Sequence, residues 1–388
     1  MKFDLTDDQN AIVSAVRAIV DDFGDDYWLD LDETGEFPEA FYQAMVDGGW
    51  LGIAMPEEAG GAGLGVTEAA LMMMTVANSG GGMAAASSIH MNIFGPHPIV
   101  VFGTPEQRAE WLPALIQGRN KCCFGVTEPD AGLETGAITT TAEHSGNGYV
   151  ITGRKIWTST AQRADKILIL ARTTPKDQCA RSTDGLSLFY TDLDRAHAEV
   201  REIPKMGRKA VDSNMIFIDS LPVPGDHLIG EEGKGFQYLL HGLNPERILV
   251  AGEAVGLGRN ALTRAAQYAN ERIVFGRPIG QNQAIQHPLA HCWAELEAAE
   301  LMCMRAAWAY DTGAPSGIHA NAAKYLAAEA GYKAAEQAVL THGGMGYARE
   351  FHVERLMREA MIPRIAPVSA QMILCYIAEK ALGLPKSY

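Results

Sequence analysis

The residues best suited by type and position to binding a ligand lie in two short segments in the first half of the chain. Residues 124–132 read FGVTEPDAG, and residues 153–159 read GRKIWTS. The second segment brings the Trp157 indole beside two hydroxyls, groups that can stack on a ligand and hydrogen-bond to it. Glu-Pro-Asp followed closely by Gly is first of all a turn signal. Taken alone, these residues favour a turn and a core or edge aromatic over a ligand site.

The elements that precede these segments are predicted to be helices. Thr6 and Gln9 have the spacing of a capping box, and Thr104 is followed by a proline and an acid, which is typical of a helix start. We therefore expect an N-terminal helical domain at residues 1–118.

The segments themselves fall in a region with strand-like sequences. Runs of β-branched and aromatic residues alternate there with Gly, Asn, Asp and Pro, and they predict strands at residues 137–141, 166–170, 186–190 and 214–218. The runs before Pro129 and up to Trp157 are also strand-like. We expect a compact β-barrel-like domain at residues 119–228.

The last part of the chain returns to helical periodicity. Ala- and Leu-rich stretches predict long helices at residues 247–272, 283–311 and 318–341. They indicate a four-helix-bundle-like domain at residues 229–388. The predicted fold class is α+β, and mostly α.

Composition and charge narrow the class of protein. A chain of 388 residues exceeds the usual size of one hydrophobic core. Its formal net charge of −15 disfavours a surface that binds nucleic acid or anionic membranes. A local basic site for one anionic ligand is compatible with this charge. We identify no signal peptide, no apolar run of membrane-spanning length and no metal-site spacing among the cysteines. We therefore expect a cytoplasmic protein with no metal, nucleic acid or membrane partner.

Three separated motifs resemble those of the acyl-CoA dehydrogenases. The first is the pair of segments around Trp157; the second reads ERIVFGRPI at residues 271–279, and the third reads HGGMGY at residues 342–347. At family spacing after the third motif come Glu350, Arg355 and Glu359. The resemblance covers essentially the whole chain. It implies an FAD-dependent oxidoreductase of fatty acid metabolism.

The resemblance also implies which residues contact the FAD. Val126 and Thr127 would bond the pyrimidine side of the flavin. Trp157 would cover one ring face, and Ser159 would reach toward flavin N5. The implied cofactor-binding residues also include Phe124, Ser369 and Gln371.

A second implied group reaches the FAD of a neighbouring subunit across a dimer interface. The positions that resemble it are Arg272, Phe275 and Gln283, while Gly343 and Gly344 would let backbone approach the same diphosphate. Two simpler interpretations stay open. The arginine can complement a helix dipole, and the glycine pair can merely end a helix.

The family's chemistry needs a base, and this chain departs from its commonest position. An acyl thioester loses its α-proton to a carboxylate while the β-hydride leaves to flavin N5. In many members that carboxylate stands in the loop that here reads IAPVSAQ at residues 365–371. Pro367 falls on the base position. It neither accepts a proton nor supplies the N–H that in the family helps to bind the thioester oxygen.

A second family solution places the base on a bundle helix just before an arginine. Glu246 and Arg247 occupy that position here, within the sequence NPER. The same residues are typical of a helix start, where Glu246 would only complement the macrodipole. Because Pro367 leaves the other position without a carboxylate, we favour Glu246 as the base.

The leading hypothesis is dehydrogenation of an acyl-CoA to a trans-2-enoyl-CoA. Electrons would pass to an electron-transfer flavoprotein, and the enzyme would be a homodimer or homotetramer. The alternatives are a flavin-dependent oxidase or monooxygenase on the same fold, a flavin-binding relative that has lost turnover, and a DNA-associated relative. The negative net charge argues against the last of these. Helix placement of the base weakly favours branched or long acyl chains.

Overall fold

The computed structural model describes residues 4–387, which begin with a helical region. Thr6 caps the first helix as predicted, because its Oγ1 accepts from the Gln9 amide at 3.2 Å while Gln9 Oε1 accepts from the Thr6 amide at 3.1 Å. Thr104 forms the same reciprocal cap with Gln107. The helices are α1 (Asp7–Asp21), α2 (Asp25–Thr34), α3 (Glu39–Asp47), α4 (Val66–Ala77), α5 (Gly82–Phe94), α6 (His97–Phe102) and α7 (Pro105–Ile116).

A curled sheet follows the first helices. Its strands are β1 (Cys122–Gly125), β2 (Thr141–Ser145), β3 (Gly148–Ser159), β4 (Lys166–Arg172), β5 (Leu186–Asp192), β6 (Ala198–Glu202) and β7 (Ser213–Pro224). Their order is β1-β4-β2-β3-β7-β6, and β5 pairs antiparallel with β4. Because β4 also pairs with β1 in parallel and meets β2 at a single position, the sheet curls around an apolar interior.

The predicted strand at residues 137–141 is wrong over most of its length. A short turn of 3-10 helix covers Thr135–Ala137, and β2 begins only at Thr141. The reason is local, since the backbone amides of Thr139 and Thr140 donate to the Glu128 carboxylate instead of to a neighbouring strand. The sequence analysis also missed β6, whose charged sequence AEVRE lies at the edge of the sheet.

Long helices form the last part of the structure. They are α8 (Gly235–Glu271), α9 (Gln283–Asp311), α10 (Gly317–His342), α11 (Val353–Glu359), α12 (Ile362–Ile365) and α13 (Ala370–Leu382), with a small hairpin of β8 (Ile273–Val274) and β9 (Arg277–Pro278) after α8. α9 has the predicted bounds, and α10 exceeds its prediction by one residue at each end. The fold class predicted from the sequence is confirmed, whereas the residue boundaries of the three domains stay a prediction.

α8 begins at Gly235, well before the predicted start near residue 247. Pro245 lies inside the helix, where it supplies no N–H to the backbone ladder. The helix continues past it because α8 is packed on several sides and much of its length is buried. The helix-start interpretation of Glu246 is therefore wrong.

Glycines bring the backbone of α8 into close contact with its neighbours. A Cβ on Gly256 would come within 2.2 Å of the Met74 carbonyl oxygen on α4, and one on Gly258 would come within 2.9 Å of Gly331 Cα on α10. Larger side chains at these positions would separate the helices. α8 is thus a rigid central element of the bundle.

The structure gives two further findings on residues 4–387. No single helix there combines the length and apolar composition of a membrane span; one bent pair, Val353–Ile365 with Ala370–Leu382, meets those criteria only together. No group of three or more His, Cys, Asp or Glu side chains in the same residues is arranged to hold a metal ion.

Candidate active site

The two segments singled out in the sequence lie side by side. The chain that leaves β1 is tied to β3 by a hydrogen bond of 2.9 Å from the Ile156 amide to the Thr127 carbonyl. Lys155 Nζ also donates to the Val126 carbonyl at 3.2 Å. Together they form one surface, which we call the β1–β3 wall, made of residues 124–127 and 157–159.

A buried ion pair supports the β1–β3 wall from behind. Lys155 Nζ and Glu128 Oε1 are 2.9 Å apart, and neither side chain is more than 5% exposed. Burial acts to raise the pKa of Glu128, but the Lys155 ammonium and the hydrogen bonds from Thr139 and Thr140 lower it to about 2. Burial lowers the pKa of Lys155 to about 8 against the attraction of Glu128. Both partners are therefore charged at neutral pH.

Trp157 projects from an irregularity in β3. Its φ of +59° is one that L-residues rarely adopt, and the β3–β7 register shifts between Lys155 and Thr158. Such a break redirects a side chain. Trp157 is 58% exposed, so of the two simpler interpretations, a core or an edge aromatic, the first is wrong. The ring lies on the outer face of the wall.

The wall presents hydrogen-bond donors that have no protein partner. Within the part of the chain that the structure describes, the backbone amides of Val126 and Thr127 donate to no other residue. A planar ring stacked on Trp157 would bring acceptor atoms on its edge to these amides. A flavin has carbonyl oxygens along its pyrimidine edge, and the residues of the wall fit it. Phe124 is half-buried at the same end of β1.

Ser159 is bound by an arginine that the sequence analysis did not single out. Arg208 Nη2 donates to Ser159 Oγ at 3.1 Å, and the same guanidinium donates to Ser87 on α5 and to Ser213 on β7. A guanidinium only donates, so this bond occupies a lone pair of Ser159 and leaves its hydroxyl hydrogen available to an acceptor. The predicted contact of Ser159 with flavin N5 is compatible with this orientation and stays a prediction.

Glu246 lies half-buried in the interior of α8. Burial raises its pKa to about 7, and the positive charges of His90, Arg247 and Lys324 oppose the rise. The side chain is therefore a mixture of carboxylic acid and carboxylate near neutral pH, the range in which a general base is most effective. Arg247 Nη1 donates to Asn244 Oδ1 at 3.1 Å, one turn earlier on the same helix.

A buried lysine fixes the loop in which many family members carry their base. Lys324 on α10 is 1% exposed, and its Nζ donates to the Val368 carbonyl at 2.6 Å. Burial lowers the pKa of this lysine to about 8, while Glu246 acts to raise it. Lys324 therefore interacts both with Glu246 and with the loop that contains Pro367. The structure brings the two alternative base positions to the same part of the bundle.

The remaining predicted cofactor residues lie at or near the surface. The β8–β9 hairpin carries Phe275, fully exposed with a φ of +51°. Gly343 ends α10 with a φ of +61°, a conformation that favours glycine. Ser369 Oγ caps α13 by accepting from the Met372 amide at 3.4 Å. The other exposed positions in this group are Arg272, Gln283, Gly344 and Gln371. Their contacts with a cofactor stay a prediction.

Sequence reasoning missed three charged residues near the proposed base and wall. His90 and Glu253 form a buried contact of 2.6 Å although 163 residues separate them, and Arg208 joins three elements. No local spacing indicates such contacts. For His90 and Glu253 the only signal in the sequence is a titratable residue inside an otherwise apolar helical run, and Arg208 lies in the loop between β6 and β7.

The chain is similar in sequence to known proteins along most of its length. The family profiles for the N-terminal, middle and C-terminal domains of acyl-CoA dehydrogenase match residues 6–119, 123–221 and 233–382. The acyl-CoA dehydrogenase FadE12 of Mycobacterium bovis is 37% identical over 395 residues, covering 99% of this chain and 98% of the relative. This chain belongs to the acyl-CoA dehydrogenase family. It is accordingly an oxidoreductase of that family.

Solved structures agree with this family assignment. The chain is similar to a glutaryl-CoA dehydrogenase determined with glutaryl-CoA, with a TM-score of 0.94 and 30% identity over 100% of this chain and 98% of the other. It is also similar to a chain from a structure described as the electron transferring flavoprotein of Acidaminococcus fermentans. The TM-score there is 0.93 with 30% identity over 98% and 99% of the two chains. The predicted acyl-CoA dehydrogenase fold is thus confirmed over the whole length of the chain.

Proposed function

We propose that this chain converts an acyl-CoA to a trans-2-enoyl-CoA, with FAD as cofactor and Glu246 as the base that removes the α-proton. The observation that carries the proposal is a half-buried carboxyl on α8 with a pKa raised to about 7. Pro367 leaves the alternative loop position without a carboxylate. No other acid is proposed for the role.

Glu246 suits the proposed step in protonation state and in rigidity. Near neutral pH a large fraction is carboxylate, and that fraction increases as pH rises through 7. Because α8 is clamped by backbone contacts to α4 and α10, the carboxylate is presented from a fixed helix. Once it holds the α-proton, the side chain is neutral, the form that its buried surroundings favour.

The β1–β3 wall would hold the FAD ring. The amides of Val126 and Thr127 would donate to its pyrimidine edge, and the Trp157 indole would pack on one face. Ser159, bound from behind by Arg208, would donate its hydroxyl hydrogen near N5. When bound, the flavin supplies the acceptor for the β-hydride.

Replacing Trp157 by alanine tests the proposed position of the ring. Loss of an aromatic contact worth about 0.5–1.5 kcal/mol should weaken FAD binding roughly 2- to 10-fold. Because the indole is 58% exposed, the melting temperature of the apoprotein should hardly change. The measurement is FAD titration followed by flavin fluorescence. Leu64→Ala, at a residue 40% exposed in another part of the chain, is the control. Unchanged FAD affinity in W157A would contradict the assignment.

A substrate screen tests the reaction itself. Anaerobic holoenzyme is mixed with butyryl-, isovaleryl-, octanoyl- and palmitoyl-CoA, and bleaching of the oxidised flavin absorbance is recorded. We expect bleaching with at least one of these thioesters, and then slow recovery of the absorbance when air is admitted. Rapid reoxidation would favour an oxidase or monooxygenase. No bleaching by any acyl-CoA would favour a flavin-binding relative without turnover.

Electron transfer and assembly complete the proposal. We propose an electron-transfer flavoprotein as the acceptor, supported by the similarity to a chain from the Acidaminococcus structure.

A second copy of this chain would cover large exposed apolar side chains in a homodimer or homotetramer. These side chains include Phe275, Trp293, Trp308, Leu340 and Tyr347. Arg272, Phe275 and Gln283 would then contact the FAD of the neighbouring subunit.

A further inference from the structure

A buried histidine and glutamate pair lies against the helix that carries Glu246. His90 on α5 and Glu253 on α8 bring Nδ1 and Oε1 to 2.6 Å, and the two residues are 8% and 2% exposed. This distance is slightly shorter than that of an ordinary charge-assisted hydrogen bond between a nitrogen and a carboxylate. The mechanism proposed above makes no use of the pair.

The pair and Glu246 share one face of α8. Gly242, Glu246 and Glu253 are separated by four and seven residues, a spacing that places them on the same side of an α-helix. α5 contacts this face on both sides of Glu246. A Cβ on Gly242 would lie 3.2 Å from the Phe94 ring, and His90 bonds to Glu253 two turns further along. The imidazole is therefore held over the face from which the base projects.

The charges around this face determine the protonation of His90. Burial acts to lower the pKa of His90, but the Glu253 carboxylate at hydrogen-bond distance raises it above its ordinary value. Glu246 acts in the same direction, and the Arg208 guanidinium opposes it. The contact with Glu253 therefore favours the imidazolium form of His90.

The same charges act on Glu246. After burial, which raises its pKa, the largest electrostatic influence is the lowering effect of His90, followed by that of Arg247. Glu253 acts to raise the pKa of Glu246, and Lys324 on α10 acts to lower it. The imidazolium is thus the chief group that keeps the buried carboxyl ionised against its surroundings.

We propose that His90, fixed by Glu253, is a positioning residue whose imidazolium keeps Glu246 ionised and ready to accept the α-proton at neutral pH. This inference rests on the proposed role of Glu246 as the base. The acid–base unit of the enzyme is then a coupled set of Glu246, His90 and Glu253. A purely structural role would leave the pair as a cross-link between α5 and α8.

Two variants distinguish the positioning role from a purely structural one by how far each shifts the pH profile of the reaction. His90→Gln removes the cation and leaves the Glu253 carboxylate unpaired near Glu246, so both changes disfavour the ionised base. Glu253→Gln removes a carboxylate, but it also releases His90 to become neutral, so its effect on Glu246 is smaller. In H90Q the acidic limb of the pH profile should move up by about 1 pH unit or more, and in E253Q by less.

The profile is the rate of anaerobic flavin bleaching by isovaleryl-CoA or palmitoyl-CoA, whichever reacts faster with the unmodified holoenzyme, from pH 5.5 to 9. His227→Gln is the matched control, because His227 is a half-buried histidine bonded to Thr191 in the middle domain at 2.9 Å. Its profile should coincide with that of the unmodified enzyme. If H90Q and E253Q only lower the melting temperature and leave the limb in place, the inference is wrong.

A second measurement does not depend on turnover. Glu246→Gln should stabilise the H90Q protein at pH 8 more than it stabilises the unmodified protein, because an ionised Glu246 costs more without the imidazolium. Equal stabilisation in the two backgrounds would overturn the inference. His90→Asn, which also removes the cation and keeps Glu253, provides the same comparison if H90Q does not fold. If the single variant E246Q still bleaches normally, the proposed base fails instead, which keeps the two failures distinct.

Discussion

Replacing Glu246 by glutamine should abolish flavin bleaching by acyl-CoA while FAD stays bound. Removal of a general base typically lowers the rate about 10²- to 10⁴-fold, and glutamine keeps the size of the side chain without accepting the proton. The measurement is single-turnover bleaching of anaerobic holoenzyme, with the flavin content determined from its absorbance. Near-normal bleaching in this variant would rule out Glu246 as the base.

The same substitution has a second expected effect, on stability. The pKa of Glu246 is raised from 4.5 to about 7 in the folded protein, so ionisation there costs free energy that the unfolded chain does not lose. The cost is absent below pH 4.5, grows between pH 4.5 and 7, and is constant above pH 7. E246Q should therefore be more stable than the unmodified protein at pH 8, by about 2–3 kcal/mol, with little difference near pH 5. Denaturant unfolding at several pH values measures this difference. A surface variant, Glu199→Gln, should show no such trend.

Replacing Lys155 by methionine should cause the largest loss of stability considered in this protein. The substitution leaves the Glu128 carboxylate buried without its counter-charge, which typically costs roughly 3–5 kcal/mol. It also removes the bond from Lys155 to the Val126 carbonyl, so the FAD binding proposed for the β1–β3 wall should be lost as well. Thermal unfolding and retention of flavin on gel filtration measure the two effects.

The double variant and a surface pair provide the controls. Lys155→Met with Glu128→Gln should lose less stability than the two single losses combined, because no unpaired charge stays buried. Asp184→Asn breaks the exposed pair with Arg181 and should have no measurable effect on either property. A K155M protein as stable as D184N would show that the buried pair does not support the wall.

The long helices and several strands could be predicted from the sequence because their periodicity is local. α9 has the bounds that its Ala and Leu spacing indicated, and Thr6 forms the predicted capping box. The strand predicted at residues 137–141 failed because Glu128, eleven and twelve residues away, binds the amides of Thr139 and Thr140. The start of α8 failed because Pro245 is tolerated inside a helix that tertiary packing stabilises.

In the candidate site, too, the features that depend on neighbouring residues could be predicted, and those that depend on distant residues could not. The segments around Val126 and Trp157 could be singled out because their turn and strand signals are contiguous. The exposure of Trp157 could not, since it depends on a break in register between β3 and β7. The contact of His90 with Glu253 joins residues on different helices, and no spacing along one helix encodes it.

The glycines of α8 also decide how the base can move. Gly256 and Gly258 bring α8 close to the backbone of α4 and α10, so a slide or tilt of the helix that carries Glu246 would displace both neighbours. A base in a surface loop can follow the substrate by backbone motion, whereas the proposed base Glu246 lies on a packed helix and would move mainly through its side-chain torsions. The reach of the carboxylate is therefore set when the bundle assembles. If Glu246 is the base, acyl groups of different shape have to be accommodated by other residues around the substrate. A substitution that separates these helices would then misplace Glu246 without touching any residue that binds substrate.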